Sequence, residues 1–213
     1  DIITNGYLLD KRCIERLLQI GKWEMIQITI DGRPIIHDNR RVLASGRGSW
    51  ERIVTNAAYA LDAGLPVIIR MNIDQNNATD FKSTISLLVE KNLLPRASLY
   101  LGSVVDSTNE CTHMGKHKLT RKKFAEAQLS LQKELLSFGF SPGCKLPEPK
   151  CTLCTADSDN GYVISPKGRI FKCWNEIHLS DTAAVGHLLE KSAAHYDENL
   201  KRWQNYDPFR KSE

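Results

Sequence analysis

No apolar run in the chain approaches the ~20 residues that a membrane-spanning helix needs. The start likewise lacks a basic region followed by an apolar one, so neither insertion nor export is indicated and a cytoplasmic protein is expected. Glycine and proline together make only 21 of 213 residues, which excludes collagen-like and low-complexity chains. A strong charge of one sign is missing too: 29 basic against 25 acidic residues give +4, too mild a balance to argue for nucleic acid. The basic run Lys116, Lys118, Arg121, Lys122 and Lys123 carries too few interleaved aromatics to stack bases, and reads as a solvated helix start or a dock for an acidic peptide. What is present is 41% apolar and 25% charged residues in 24.1 kDa, enough to bury a core without disulfides. Asp1 runs at once into Ile-Ile-Thr, and Asp207-Pro208-Phe209 leads into a polar end, so a fragment of a longer chain is expected.

To about residue 105 the period alternates between strand and helix. Ile2–Thr4, Met25–Ile30, Val67–Ile73 and Ala97–Val104 have strand length and strand composition. Between them, Asp10 can cap a helix with Ile14, Leu17 and Leu18 inward and Gly21 at its end. Ser49 opens a second helix, with Ile53, Ala57, Ala60 and Leu61 on one face and Gly64-Leu65-Pro66 as its stop. Asn77 or Thr79 opens a third, burying Phe81, Ile85, Leu88 and Val89. This rhythm predicts crossover units and a parallel sheet, an α/β fold. Ligands of such sheets gather at the carboxyl ends of the strands. A fourth helix, capped by Thr120 and ended by Gly139, carries Phe124, Ala127, Leu131, Leu135 and Phe138 along one stripe.

After residue 140 the character changes, and the domains are expected to be 1–140 and 141–213. Residues 161–173 read as two short strands about a Pro/Gly turn. Roughly Ala183–Tyr206 reads as helical, with Leu188, Leu189, Tyr196, Leu200 and Trp203 as its apolar face. Four of the six cysteines, Cys144, Cys151, Cys154 and Cys173, cluster here. Without an export signal, such a cluster points to thiolates that bind metal rather than to disulfides. Cys151 and Cys154 can face one ion or cluster, and the hairpin would return Cys173 to them. A tetrahedral zinc and an iron–sulfur cluster both satisfy this spacing, and buried free thiols remain the bland alternative. Cys13 is read as packing, and Cys111, beside His113 and His117, as a loop residue.

Taken together, these residues resemble a radical S-adenosylmethionine (AdoMet) enzyme with a SPASM domain, a group that modifies peptides and protein side chains. The resemblance rests on Ile28-Thr-Ile-Asp-Gly32, His37-Asp-Asn-Arg-Arg41 and Gly48-Ser-Trp-Glu-Arg52, similar to the family's fourth barrel strand and following helix. Ile2-Ile-Thr-Asn-Gly6 is similar to the end of the third strand. Val67-Ile-Ile-Arg-Met-Asn-Ile73, with Asn76 and Asn77, is similar to the fifth. Cys154, thirteen residues, Gly168, four residues and Cys173 fit the first half of the SPASM cysteine pattern. The implied fold is a partial (β/α) radical SAM barrel followed by a small cysteine-containing, SPASM-like β-hairpin module. Two departures stand out. The C-x3-C-x2-C triplet that holds the radical-generating cluster is absent from this chain, which alone is therefore not expected to cleave AdoMet. The second half of the SPASM pattern is absent as well.

By resemblance, the complete enzyme would use a 5′-deoxyadenosyl radical to take hydrogen from a peptide or protein substrate. AdoMet would be held by Thr4, Asn5, Thr29, Asp31, Arg70 and Asn72, with Arg52 as a second candidate for its carboxylate, since a guanidinium pairs both oxygens. Each also has an ordinary reading as a turn, strand or ion-pair residue. His37, Asp38 and Arg41 are expected to brace a loop. Cys151, Cys154 and Cys173, with Cys144 as a further candidate, would hold an auxiliary 4Fe-4S cluster. Trp174 stands where sulfatase-maturing members carry an Asp, which favours peptide crosslinking. The competing readings are a non-enzymatic α/β domain with a four-cysteine zinc site, and a degenerate family member that only recognises peptides.

Overall fold

The computed structural model describes residues 1–104, 117–140, 154–177, 181–189 and 194–205. The chain divides into two compact units, Asp1–Lys145 and Leu146–Glu213. In the first, four strands, β1 (Ile2–Thr4), β2 (Ile26–Thr29), β3 (Val67–Ile73) and β4 (Ser98–Ser103), form one parallel sheet in chain order. The register places Thr4 beside Ile28, Thr29 beside Arg70 and Asn72 beside Gly102. The connections are helical: α1 (Lys11–Ile20), α2 (Pro34–Arg40), α3 (Trp50–Asp62) and α4 (Phe81–Glu90), with α5 (Arg121–Ser137) after the last strand. Parallel strands require such crossovers, and a sequential order with one handedness puts the helices on a single face.

The alternation within the strands decides what lies on each face. Ile26, Ile28, Val67, Ile69, Met71 and Ile73 are buried in the main core with Ile53, Ala57, Ile85, Leu88 and Leu131 from the helices. The intervening residues, Gln27, Thr29, Arg70, Asn72, Ser98 and Tyr100 with Ile3 and Ile68 in the row of Gln27, point to the opposite face, which is mostly polar. On that face the Tyr100 hydroxyl donates to the Gln27 side-chain oxygen, reaching from β4 to β2.

Local chemistry explains most helix ends. Asp10 accepts the Cys13 N–H at 2.9 Å and Thr120 the Lys123 N–H at 3.3 Å, so both act as the caps the sequence predicts. The third predicted cap is corrected. Helix α4 begins after Asp80 rather than at Asn77 or Thr79, because Asn77 is fully buried and spends its side chain on the chain around it. Two apolar residues expected inside are exposed, Leu18 at 46% and Val89 at 36%. Each follows a sheet-facing neighbour by one residue, a 100° turn that carries it off the buried stripe. Helix α2 falls where a loop was expected, and Pro34 at its first turn is the signal for it.

In the second unit the expected hairpin forms from β5 (Val163–Ile164) and β6 (Arg169–Phe171), antiparallel, about a turn closed by Gly168 N–H on the Ser165 carbonyl at 2.9 Å. A third strand, β7 (Gly186–His187), pairs with β6. The helix expected from Ala183 is therefore corrected to α6 (Ala194–Gln204). Gly186 disfavours a helix and β6 offers a free edge, so the chain pairs there and leaves Leu188 at 57% and Leu189 at 92% exposed. Phe171, Ala184 and Tyr196 form this unit's core.

Ile69 is fully buried on a central strand, so Ile69→Ala is expected to cost about 2–5 kcal/mol in urea unfolding. Asp10→Ala, which removes only a cap, is expected to cost about 1 kcal/mol.

Candidate functional site

Just past the end of β2, the Asp31 carboxylate is buried, with its side chain 3% exposed. One oxygen accepts the Asn72 backbone N–H at 2.9 Å and the other accepts from Arg41 Nε at 2.8 Å; Arg40 Nε stands 3.5 Å from the second oxygen, an ion pair without a hydrogen bond. Arg40 turns its Nη1 to Asp74, 2.6 Å away. Two guanidinium groups, Arg40 nearly buried and Arg41 half-buried, thus neutralise two buried carboxylates, the condition under which buried charges persist. Asn77 closes the arrangement from below. Its Nδ2 donates to the carbonyls of Asp31 and Asn72 at 2.9 and 3.0 Å, and its oxygen accepts the Asp74 N–H at 2.9 Å.

His37 on α2 continues the network. Its Nδ1 accepts the Asp31 N–H at 3.1 Å, so the ring proton resides on Nε2, which donates to Ser49 Oγ at 3.2 Å. Ser49 then donates to the Arg41 carbonyl at 3.2 Å. Burial pushes the His37 pKa down from 6.5 to about 4, against the pull of Asp31, and the ring is neutral. The Ser49 hydroxyl is thus committed to His37 and Arg41 and does not cap α3. Asp38 performs that task, accepting the Ser49 and Trp50 N–H groups at 2.8 and 2.9 Å. Gly48 is required beside it, since a Cβ there would stand 2.2 Å from an Asp38 oxygen.

The residues expected to hold a cofactor fall into two groups. Asp31, Asn72, Arg70 and Thr29 come together at the strand ends. Arg70 lies beside Thr29 in register, donates to the Asn72 side chain at 2.9 Å, and lies over Gly102, where a Cβ would meet its Nε at 2.4 Å. Thr4 and Asn5 shape the turn after β1, accepting the Gly6 and Tyr7 N–H groups at 3.1 and 3.0 Å. Arg52 belongs to that turn as well, donating to the Tyr7 carbonyl at 2.9 Å with its guanidinium 4.5 Å above the Tyr7 ring. A cavity of about 290 Å³ opens here, lined by Asn5, Tyr7, Arg40, Arg41, Val42, Leu43, Ser49 and Ile53. A larger one, about 600 Å³, lies between β4 and α5, and none of the expected site residues lines it.

Cys154 is exposed and Cys173 half-buried, both as free thiols. Cys144 and Cys151 lie outside the described residues, as do Cys111 and His113. Among the described residues no group of three metal-binding side chains forms. Cys13 packs at the margin of the core, as expected. Sequence reasoning missed Arg40, Asp74 and Gln27, whose roles depend on partners 34 to 73 residues away. It also missed Asn56, which ties α3 to the turn after β1 by donating to the Gly6 and Tyr7 carbonyls at 2.9 and 3.1 Å.

No protein-family model and no curated protein matches the chain. Solved structures do. A structure of native anSMEcpe with bound AdoMet superposes with a TM-score of 0.66 at 16% identity, over 93% of this chain and 57% of that one. The same protein with bound AdoMet and Kp18Cys peptide gives 0.65 at 16% identity, covering 94% and 59%. Streptococcus suis SuiB bound to S-adenosylmethionine gives 0.53 at 17% identity, covering 97% and 48%. The likeness is one of fold. The chain spans about half the length of the structures it matches, and its α/β architecture is part of theirs.

Two measurements check the network. His37 is held neutral in the fold while its unfolded pKa is near 6.5. The unfolded state therefore binds the extra proton between pH 6.5 and about 4. Stability is expected to be complete above pH 6.5 and to fall by about 2–3 kcal/mol towards pH 4. Urea unfolding across that range should show the loss in the parent chain and a flatter profile in His37→Asn. Asp31→Ala leaves Arg40 buried with one carboxylate fewer and is expected to cost about 3 kcal/mol in the same assay.

Proposed function

We propose that this chain is the AdoMet-facing and substrate-facing part of a radical SAM enzyme that modifies peptides or proteins. The observation that carries the reading is the polar end of the parallel sheet, where Thr29, Arg70, Asn72 and Asp31 converge, within a fold shared with AdoMet-bound structures. The group fits these residues by chemistry. AdoMet presents a carboxylate, an ammonium and ribose hydroxyls. The chain offers guanidinium, carboxamide and hydroxyl groups at the strand ends, the usual place for ligands in such sheets.

Arg70 is assigned to the carboxylate, since its Nε is held by Asn72 and its guanidinium occupies the space beside Gly102 that a Cβ would fill. Arg52, locked on Tyr7, is the second candidate. Asp31 acts mainly by fastening Asn72 in place. Thr4 and Asn5 set the turn that borders the smaller cavity. When bound and reductively cleaved, AdoMet supplies a 5′-deoxyadenosyl radical, a reaction that needs a cluster held by the triplet this chain lacks. The protein's share is positioning and exclusion of water. Cys151, Cys154 and Cys173 are assigned to an auxiliary 4Fe-4S cluster, Cys144 being the less favoured candidate. The second unit places Cys173 directly before a 3-10 turn, Trp174–Glu176, whose Glu176 is fastened by Arg202 and Trp203 of α6 at 2.9 and 3.2 Å. A peptide or protein is proposed as the substrate, a reading supported by the peptide bound in one neighbour of the same fold.

Anaerobic reconstitution with iron and sulfide is expected to give a brown protein whose visible absorption and iron content fall in Cys173→Ala. A colourless protein with stoichiometric zinc would replace the cluster assignment by a structural metal site. Calorimetric titration with AdoMet should show binding that weakens at least about tenfold in Arg70→Ala. Absence of binding by the parent chain would overturn the reading.

A further inference from the structure

The first turn of α5 is charged against its own helix. Arg121, Lys122 and Lys123 in that turn and Lys118, two residues before the Thr120 cap, are all exposed, and no acidic residue shares the turn. Among the described residues none of the four forms an ion pair. Cations at this end of a helix repel the partial positive charge of the unpaired N–H groups and repel one another. The cap is already supplied by Thr120, so the fold gains nothing from the lysines. The neighbouring helix adds to the same field: α4 packs on α5 and carries exposed Lys82 in its first turn. Both helices run back from the carboxyl ends of parallel strands, so their first turns share the rim on which Asp31, Asn72 and Asp74 stand. The loop after β3 fixes the patch there, with Gln75 donating to the carbonyls of His117 and Lys118 at 2.9 and 3.3 Å.

We propose that this rim is the docking surface for an acidic segment of the peptide substrate, which it holds by charge beside the strand ends. The inference rests on the peptide-substrate reading above and adds the chemical class of the segment. Three lysines and an arginine within six positions, without an ion pair among the described residues, complement carboxylates in series. Exposed pairs of this kind are individually weak, so recognition needs several carboxylates at once and is sensitive to salt. The aromatic platforms that single-stranded nucleic acid requires are lacking, since Phe124 is the one aromatic among residues 117–130.

The test is fluorescence anisotropy of the full chain with three labelled probes: a Glu-rich peptide, a Lys-rich peptide of equal length and an oligothymidylate of equal charge. The Glu-rich peptide is expected to bind, with affinity falling as salt rises from about 50 to 200 mM. Combined replacement Lys118→Glu, Arg121→Glu, Lys122→Glu and Lys123→Glu should abolish that binding, while Lys133→Glu, far along the same helix, should leave it unchanged. The combined replacement relieves the helix-end repulsion, so its unfolding midpoint is expected to rise, which separates lost docking from lost folding. Absence of Glu-rich peptide binding, equal loss in Lys133→Glu, or tighter binding of the oligothymidylate would overturn the proposal. AdoMet titration of the combined variant runs in parallel. In the combined variant, retained AdoMet binding with lost peptide binding supports the docking surface, whereas a parent chain that binds AdoMet but not the Glu-rich peptide overturns the docking surface and leaves the enzyme reading standing.

Discussion

The Asp31 carboxylate is where the end of β2, the backbone of β3 and the two arginines of the α2 end are joined. A carboxylate with its side chain 3% exposed is tolerable because each of its oxygens accepts a hydrogen bond and two guanidinium groups stand beside it. It takes one N–H from Asn72 and a guanidinium from Arg41, and its own peptide group engages His37 and Asn77. The consequence is mechanical. Residues of the candidate site that come from separate strands are held in one geometry by a group that does not itself need to touch a ligand. Rigid placement of this kind is what a site at strand ends requires, because loops alone hold side chains less tightly.

The two faces of the sheet divide the work. One is a continuous apolar surface pressed against the helices, and its burial supplies the main driving force for this unit. The other carries Gln27, Thr29, Arg70, Asn72 and Tyr100, side chains that contribute little to a core. Strand alternation makes this separation possible within runs as short as four residues. A sheet that spends one face entirely on stability keeps the other for chemistry, and the polar groups there brace one another, Tyr100 on Gln27 and Arg70 on Asn72.

His37 shows how a titratable group can serve the fold by staying uncharged. Its ring accepts at one nitrogen and donates at the other, linking Asp31 to Ser49 and so β2 to α3. A charged ring would have two donors and would break the contact with the Asp31 N–H. The neighbouring Asp38 takes over the cap of α3, leaving Ser49 for the histidine. The bracing role expected for His37, Asp38 and Arg41 is thus visible as a set of hydrogen bonds.

Much of the architecture was legible in the residues. The four strands fall within a residue or two of their expected bounds because β-branched runs between helical stripes admit few alternatives. Asp10 and Thr120 cap as written because a cap is decided within four residues. Tertiary structure decided the rest. The Arg40–Asp74 pair spans 34 residues and the Tyr100–Gln27 contact 73, separations that no local pattern encodes. Helix α2 and strand β7 are as short as they are because packing and a free edge stabilise them, where propensity alone would not. Local sequence fixed the elements through hydrophobic period and capping chemistry. Only the folded chain, by bringing distant charges into a dry space where they must pair, determined which polar residues form the site.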